Sequence, residues 1–103
     1  MLTFEKVLKI FKDYLAEDTS LEVCKSRYGY IRVEFDEIRG FPDYCSGVVC
    51  RTPEELFDVL FSDYQGYEEI KLTKGQRDAT EEDIKTIRVL CQRYLDRREE
   101  EMK

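Results

Sequence analysis

Thr52-Pro53-Glu54-Glu55-Leu56-Phe57-Asp58-Val59-Leu60-Phe61-Ser62-Asp63-Tyr64 carries the clearest helix start in the chain, and it follows directly on an apolar strand. Thr52 has the hydroxyl that an N-cap needs, Pro53 fits the first helical position, and Glu55 can reach back to close a capping box. Glu54, Glu55 and Asp58 put negative charge at the positive end of the helix dipole. Leu56, Phe57, Leu60, Phe61 and Tyr64 fall at the spacing of one apolar helix face. Gly66 costs about 1 kcal/mol relative to alanine inside a helix. Tyr67 and Ile70 nonetheless continue the stripe, so one helix is expected from Pro53 to about Leu72, with Gly75 as its stop.

Upstream, Thr3 can cap a first helix near Thr3–Glu17, in which Phe4, Val7, Leu8, Phe11, Tyr14 and Leu15 recur at steps of three and four. The period then changes to two. Leu21–Lys25 reads as a first strand and Tyr30–Phe35 as a second, with Gly29 in their tight connection. Ile31, Val33 and Phe35 share one strand face and are assigned to the core; Tyr30, Arg32 and Glu34 share the other and are assigned outward. Asp36 to Asp43, with Gly40 and Pro42, is expected to be a loop or long hairpin turn. Tyr44–Cys50 makes a third strand, with Tyr44, Ser46, Val48 and Cys50 on one face and Cys45, Gly47 and Val49 on the other.

Downstream, Thr80-Glu81-Glu82-Asp83 is a second capping sequence, weaker than one ending in Glu. Ile84, Ile87, Leu90, Cys91, Tyr94 and Leu95 give the final helix, near Glu81–Arg97, its stripe. Arg97 to Lys103 is charged throughout and is expected to fray. The reading is therefore an α+β fold: a three-stranded antiparallel meander with three helices, in the order α-β-β-β-α-α. At 103 residues the chain fits a single small domain, 1–103.

Composition narrows the function classes. The net charge is −6, from 23 acidic and 17 basic residues. Binding phosphate backbones requires a basic face, so no direct nucleic-acid partner is expected, and anionic membrane surfaces are disfavoured equally. Imitation of a DNA duplex requires nearly uniform negative charge, which the interspersed cations spoil. The sequence has no apolar run of the roughly 20 residues that span a bilayer and no basic-then-apolar order at its start, so a cytoplasmic location is expected. There Cys24, Cys45, Cys50 and Cys91 should be free thiols.

Chemistry is hard to find. Without histidine there is no histidine base, no Ser-His or Cys-His pair and no His-containing zinc site. Cys45 and Cys50 have an odd offset along one strand, and no Cys-x-x-Cys knuckle supports a metal site. The carboxylate pairs Glu34/Asp36, Glu54/Glu55, Glu68/Glu69 and Glu81 to Asp83 sit at helix starts or on polar faces, which explains them without catalysis. The glycines lack the spacing of a phosphate loop. The expectation is a non-enzyme with no cofactor and no metal.

Two resemblances bear on this. Helix followed by three strands and a helix resembles, in element order, a double-stranded-RNA-binding domain. Such domains carry lysines at the start of the helix after the third strand, where this chain has Glu54, Glu55 and Asp58, so their activity is not implied. The words Thr3-Phe4-Glu5-Lys6-Val7-Leu8, Asp13-Tyr14-Leu15-Ala16-Glu17-Asp18-Thr19 and Thr52-Pro53-Glu54-Glu55-Leu56, with Asp63-Tyr64 and Lys71-Leu72-Thr73-Lys74-Gly75, are similar to small hypothetical proteins of phages and other mobile elements of Gram-positive gut anaerobes. Small acidic proteins of that setting include inhibitors of host defence, anti-CRISPR proteins among them.

The resemblance implies no activity by itself; the expected function is a non-enzymatic protein-binding module and, by analogy with that setting, an inhibitor of a host nuclease or defence complex that covers a basic nucleic-acid-binding groove. The alternative is a small accessory or regulatory subunit that acts by homodimerisation over the open sheet face. Tyr28, Tyr30, Phe41 and Tyr44 cluster at the strand ends with Arg27, Arg32 and Arg39, and Tyr and Arg are enriched among interface anchors. The expected partner surface combines Tyr30, Arg32 and Tyr44 with the acidic helix start at Glu54, Glu55 and Asp58. The helix start itself is directly testable: Thr52→Ala should lower stability by about 1 kcal/mol. An unchanged urea midpoint would mean that the helix begins elsewhere.

Overall fold

The computed structural model describes residues 1–38 and 41–103, without the side chains of 37, 38, 41 and 42. Its elements are α1 (Phe4–Ile10), α2 (Lys12–Glu17), β1 (Leu21–Ser26), β2 (Gly29–Ile38), β3 (Phe41–Cys50), α3 (Pro53–Thr73) and α4 (Glu81–Glu101). The strands form one antiparallel sheet in the order β1-β2-β3. This is the expected α+β meander, with the first helix divided into two.

The division has a cause far away in sequence. The carbonyl of Ile10 accepts from Arg97 Nη1 at 2.9 Å, and the Tyr14 N–H, which a regular helix would direct to that carbonyl, goes to Asp13 Oδ1 at 2.9 Å. Arg97 also holds both oxygens of Asp13, at 2.9 and 3.2 Å. Phe11, at φ −99° and ψ 13°, is the joint. Burial works against the charge on Asp13, but Arg97 and the Tyr14 N–H hold its carboxyl below the ordinary carboxylate value. α4 runs to Glu101, through most of the stretch expected to fray. Arg98 lies 4.5 Å over the ring of Phe57, and Glu101 pairs with Lys9 at 2.8 Å.

Helices dominate the core. Phe11 stacks on Tyr94 at 4.8 Å, Tyr94 meets Tyr64 edge-on at 4.5 Å, and Tyr64 meets Tyr14 at 5.2 Å. Each tyrosine hydroxyl is satisfied at the edge of the core: Tyr14 donates to Asp18 at 2.8 Å, Tyr94 donates to Asp13 at 3.2 Å, and Tyr64 accepts from Arg93 at 2.9 Å. Burial pushes the Tyr14 and Tyr94 hydroxyls far above their ordinary range, so both remain protonated donors. Leu56, Phe57, Leu60, Ile87 and Cys91 fill the space around them. The sheet adds Leu21 and Cys50, with Val23 and Tyr30 packed at the margin.

Local signals mostly hold. Thr52 Oγ1 accepts from the Glu55 N–H at 3.1 Å, but the Glu55 carboxylate accepts from Arg51 N at 2.8 Å, one residue further back than a capping box requires. The Thr80–Asp83 box is the one that closes fully, and with Arg77 at 2.6 Å Asp83 falls to about 2. Gly29 sits at φ 132°, where a Cβ would also run into the Cys50 carbonyl, so no other residue fits that turn. The ladder extends into the stretch Asp36 to Asp43, the expected loop or long hairpin turn, reaching Ile38 on β2 and starting at Phe41 on β3; Arg39 and Gly40 lie outside the described residues. α3 runs through Gly66 and ends at Lys74, itself left-handed at φ 56°, just before Gly75. A Cβ on Gly66 meets nothing within 4 Å. Gly66→Ala should therefore stabilise the domain by about 1 kcal/mol in a urea titration, and a loss would mean that the helix needs its glycine.

Candidate protein-binding surface

The two faces of the sheet are the reverse of the sequence assignment. Register aligns Lys25, Tyr30 and Cys50 in one row, and Val23, Arg32 and Val48 in the next. These rows face the helices. Cys50 is fully buried, Tyr30 packs on Phe4 with ring centroids 4.5 Å apart, and Arg32 Nε lies 3.1 Å from Asp63 Oδ2 on α3. Tyr30 and Arg32 are thus part of the sheet–helix contact, and their assignment as outward anchors is corrected. A single residue of offset decides the outcome, since a strand has only two faces.

A charged residue faces inward here because it has charged company. Arg32 also reaches Glu34 Oε2 at 3.3 Å, which in turn accepts from Ser46 at 3.2 Å. The Arg32 and Asp63 side chains are 13% and 20% exposed, and their contact is an ion pair outside hydrogen-bond geometry. Burial pushes the Asp63 carboxyl above its ordinary value, Arg32 opposes this, and Glu34 and Asp18 add to it.

Among the residues whose side chains are described, the far face carries Glu22, Cys24, Ile31, Val33, Phe35, Gly47 and Val49, and none of the apolar ones belongs to the core or packs against it. Tyr44 joins this face through a bulge. Glu34 pairs with Ser46 and Phe35 with Tyr44, so Cys45 is the extra residue and Tyr44 parts from the Ser46–Val48–Cys50 side. The Tyr44 hydroxyl lies 3.0 Å, and Ile31 Cγ2 3.5 Å, from where a Gly47 Cβ would be. Tyr44 is 63% exposed, as expected of an anchor, and Val49 is 41% exposed.

Glu54, Glu55 and Asp58 are exposed on α3, with Glu55 engaged by Arg51 N. They form no contact with Tyr30, Arg32 or Tyr44 among the described hydrogen bonds and ion pairs, so the six residues do not make one constellation. Asp63 was missed as a candidate because it reads as one more polar residue on a helix; only the fold sets it beneath Arg32. It lines a cleft of about 470 Å³ together with Asp18, Glu34, Tyr14 and Tyr67. Each carboxylate there has an internal partner: Arg32 for Asp63, Ser46 and Arg32 for Glu34, and Tyr14 and Ser20 for Asp18.

All four cysteines are free thiols, Cys24 and Cys45 exposed, Cys50 and Cys91 buried. Burial pushes the Cys50 and Cys91 thiols up, and a hydrogen bond to Asp36 does the same to Cys45. Among the described residues there is no group of three or more possible metal ligands, and no helix is long and apolar enough to cross a membrane. No protein-family model, curated protein or solved structure matches this chain.

Arg32→Ala strands the Asp63 carboxylate and should cost about 3 kcal/mol at neutral pH. Without Arg32 only influences that raise the Asp63 carboxyl remain, so the folded variant holds its proton to higher pH than the unfolded chain does. Its deficit is therefore full above that raised range and shrinks as pH falls through it. Denaturant titrations of both proteins at pH 7 and in the mildly acidic range test this, and a deficit that does not vary with pH would mean that Asp63 is not the group left unpaired.

Proposed function

We propose that this chain is a non-enzymatic protein-binding module that acts through the helix-free face of its sheet. The observation that carries the reading is the alternating set Ile31, Val33 and Phe35 on the side away from the helices, continued sideways by Val49 and Tyr44. Period-two apolar patterning normally belongs to a buried face; here Ile31, Val33 and Phe35 are half-buried without joining the core, beside the exposed Val49 and Tyr44, and contiguous apolar patches at a surface mark interaction sites. Tyr44 supplies the kind of large, amphipathic side chain that anchors interfaces. The internal pairing of Asp18, Glu34 and Asp63 leaves the acid-lined cleft without a carboxylate in want of a partner.

A second part of the reading concerns partner choice. Glu54, Glu55 and Asp58 stand exposed at the positive end of α3, on a chain of net charge −6. Such a front speeds encounter with a basic protein groove, which fits inhibition of a host nuclease or defence complex. The alternative is a small accessory subunit whose work is done by association alone.

The test is titration of a reconstituted nuclease or defence complex with the purified chain. Binding without catalysis gives an end point at a fixed molar ratio, whereas an enzyme acts at far below it. Val33→Thr and Val49→Thr keep β-branched shape on the open face and should leave stability within about 1 kcal/mol while reducing inhibition at least tenfold. Charge reversal at Glu54, Glu55 and Asp58 should slow association, with an effect that fades in salt. Stability losses of several kcal/mol in the threonine variants, with inhibition intact, would overturn the assignment of the face.

A further inference from the structure

We infer that α4 pairs antiparallel with α4 of a second copy of this chain, about a twofold axis at Gln92. The inference goes beyond the reading of the sheet and uses none of its residues. Several charges of α4 are engaged within the chain: Asp83 by Arg77, Arg97 by Asp13 and Glu101 by Lys9. The side chains of Glu81, Lys85, Arg88 and Glu99, by contrast, take part in none of the described hydrogen bonds or ion pairs, and all four are exposed. At 100° per residue these four fall on one stripe with Gln92, turned away from the buried Ile87, Cys91 and Tyr94. Asp96 borders the stripe, accepting from Gln92 Nε2 at 3.0 Å.

The order of charges along the stripe is the complement of its own reversal. An antiparallel copy with its axis at Gln92 brings residues equidistant from Gln92 level with each other. Lys85 then comes level with Glu99, Arg88 with Asp96, and Gln92 with itself, each amide being donor and acceptor to the other. Val89, 72% exposed, comes level with Leu95, which is exposed as well. Each pair occurs twice, as an isologous contact requires. Other alignments lose the match. Sliding one copy by about a turn sets Glu81 on Glu99 in one direction and Lys85 on Lys103 in the other, and a parallel copy sets every charge on its like. Interhelical charges select orientation and register in coiled coils by the same means. The stripe from Lys85 to Glu99, with two cations and two carboxylates, is neutral, so the net charge of −6 lies elsewhere on the chain.

Shape agrees with charge. Arg88 and Gln92 stand on a ridge between two clefts, one toward α3 lined by Phe61, Ile84 and Leu95, the other beside Val89 and Asp96. The ridge of one copy can seat in a cleft of the other, as packed helices require. The contact is largely polar and follows a single helix of 21 residues, about 31 Å long. Exposed ion pairs are individually weak, which sets a reversible dimer with a dissociation constant of roughly 10 µM to 1 mM.

Sedimentation equilibrium of the full chain, from about 10 µM to about 1 mM, should show a monomer–dimer equilibrium. Lys85→Glu and Glu99→Lys, both at exposed positions, should each weaken it at least about fivefold. Glu99→Lys lowers the net charge, so general repulsion cannot account for its effect. An equimolar mixture of the two variants, or one chain carrying both exchanges, should restore the dimer, because each level pair is again opposite in sign. In a Cys24→Ser, Cys45→Ser background under a mild oxidant, Gln92→Cys should give a covalent dimer and Val49→Cys, on the sheet, should not. Val33→Thr on the sheet should leave the equilibrium unchanged. A monomer throughout the range overturns the inference. So does a dimer indifferent to the charge exchanges, one that the mixture fails to restore, or one that Val33→Thr abolishes.

Discussion

The ion pair between Arg32 and Asp63 governs how the sheet sits on the helices. An arginine on the central strand turned toward a helix layer must find an opposite charge or unfold the contact, because an unpaired guanidinium in that setting is costly. Asp63 is that charge, with Glu34 as a second acceptor. Once Arg32 faces inward, Tyr30 and Glu34 follow by the pleat, and Ile31, Val33 and Phe35 are turned away. The pair makes a weak contribution to net stability in the manner of most partly buried ion pairs, but it selects one register face over the other.

The helical half needs no help from the sheet to have a core. Phe11, Tyr14, Tyr64 and Tyr94 form a chain of ring contacts from the α1–α2 joint through α2, α3 and α4, with the tyrosine hydroxyls led out to Asp18, Arg93 and Asp13. Tyrosine suits this arrangement, since it buries a large ring and still satisfies its polar tip at the edge. The sheet contributes few residues to that core, and the described apolar residues of its other face do not pack against it. Architecture and the proposed role meet at this point.

Arg97 illustrates a different coupling. Read in the sequence it is the first residue of a charged tail. In the fold it reaches Asp13 and the Ile10 carbonyl at once, ties α4 to the first helical segment, and breaks that segment at Phe11. One guanidinium thereby serves as the end anchor of the last helix and the cause of a joint in the first.

What the sequence by itself determined are the features that depend on neighbours along the chain. Helical stripes, the caps at Thr3, Thr52 and Thr80, the tight turn at Gly29 and the change from a period of 3.6 to a period of two all depend on residues within a few positions of one another. They were legible for that reason, and they set the α+β order. The tertiary structure alone decided which strand face is covered, because a period of two separates the faces without ranking them. It likewise decided that Cys45 bulges and carries Tyr44 to the other side, that the charged C-terminal turn packs, and that Tyr30 and Arg32 serve the interior. Each of these rests on a partner distant in sequence: Asp63 for Arg32, Phe4 for Tyr30, Asp13 for Arg97. Local pattern cannot announce such a partner, since either residue looks like ordinary surface until the fold brings the two together.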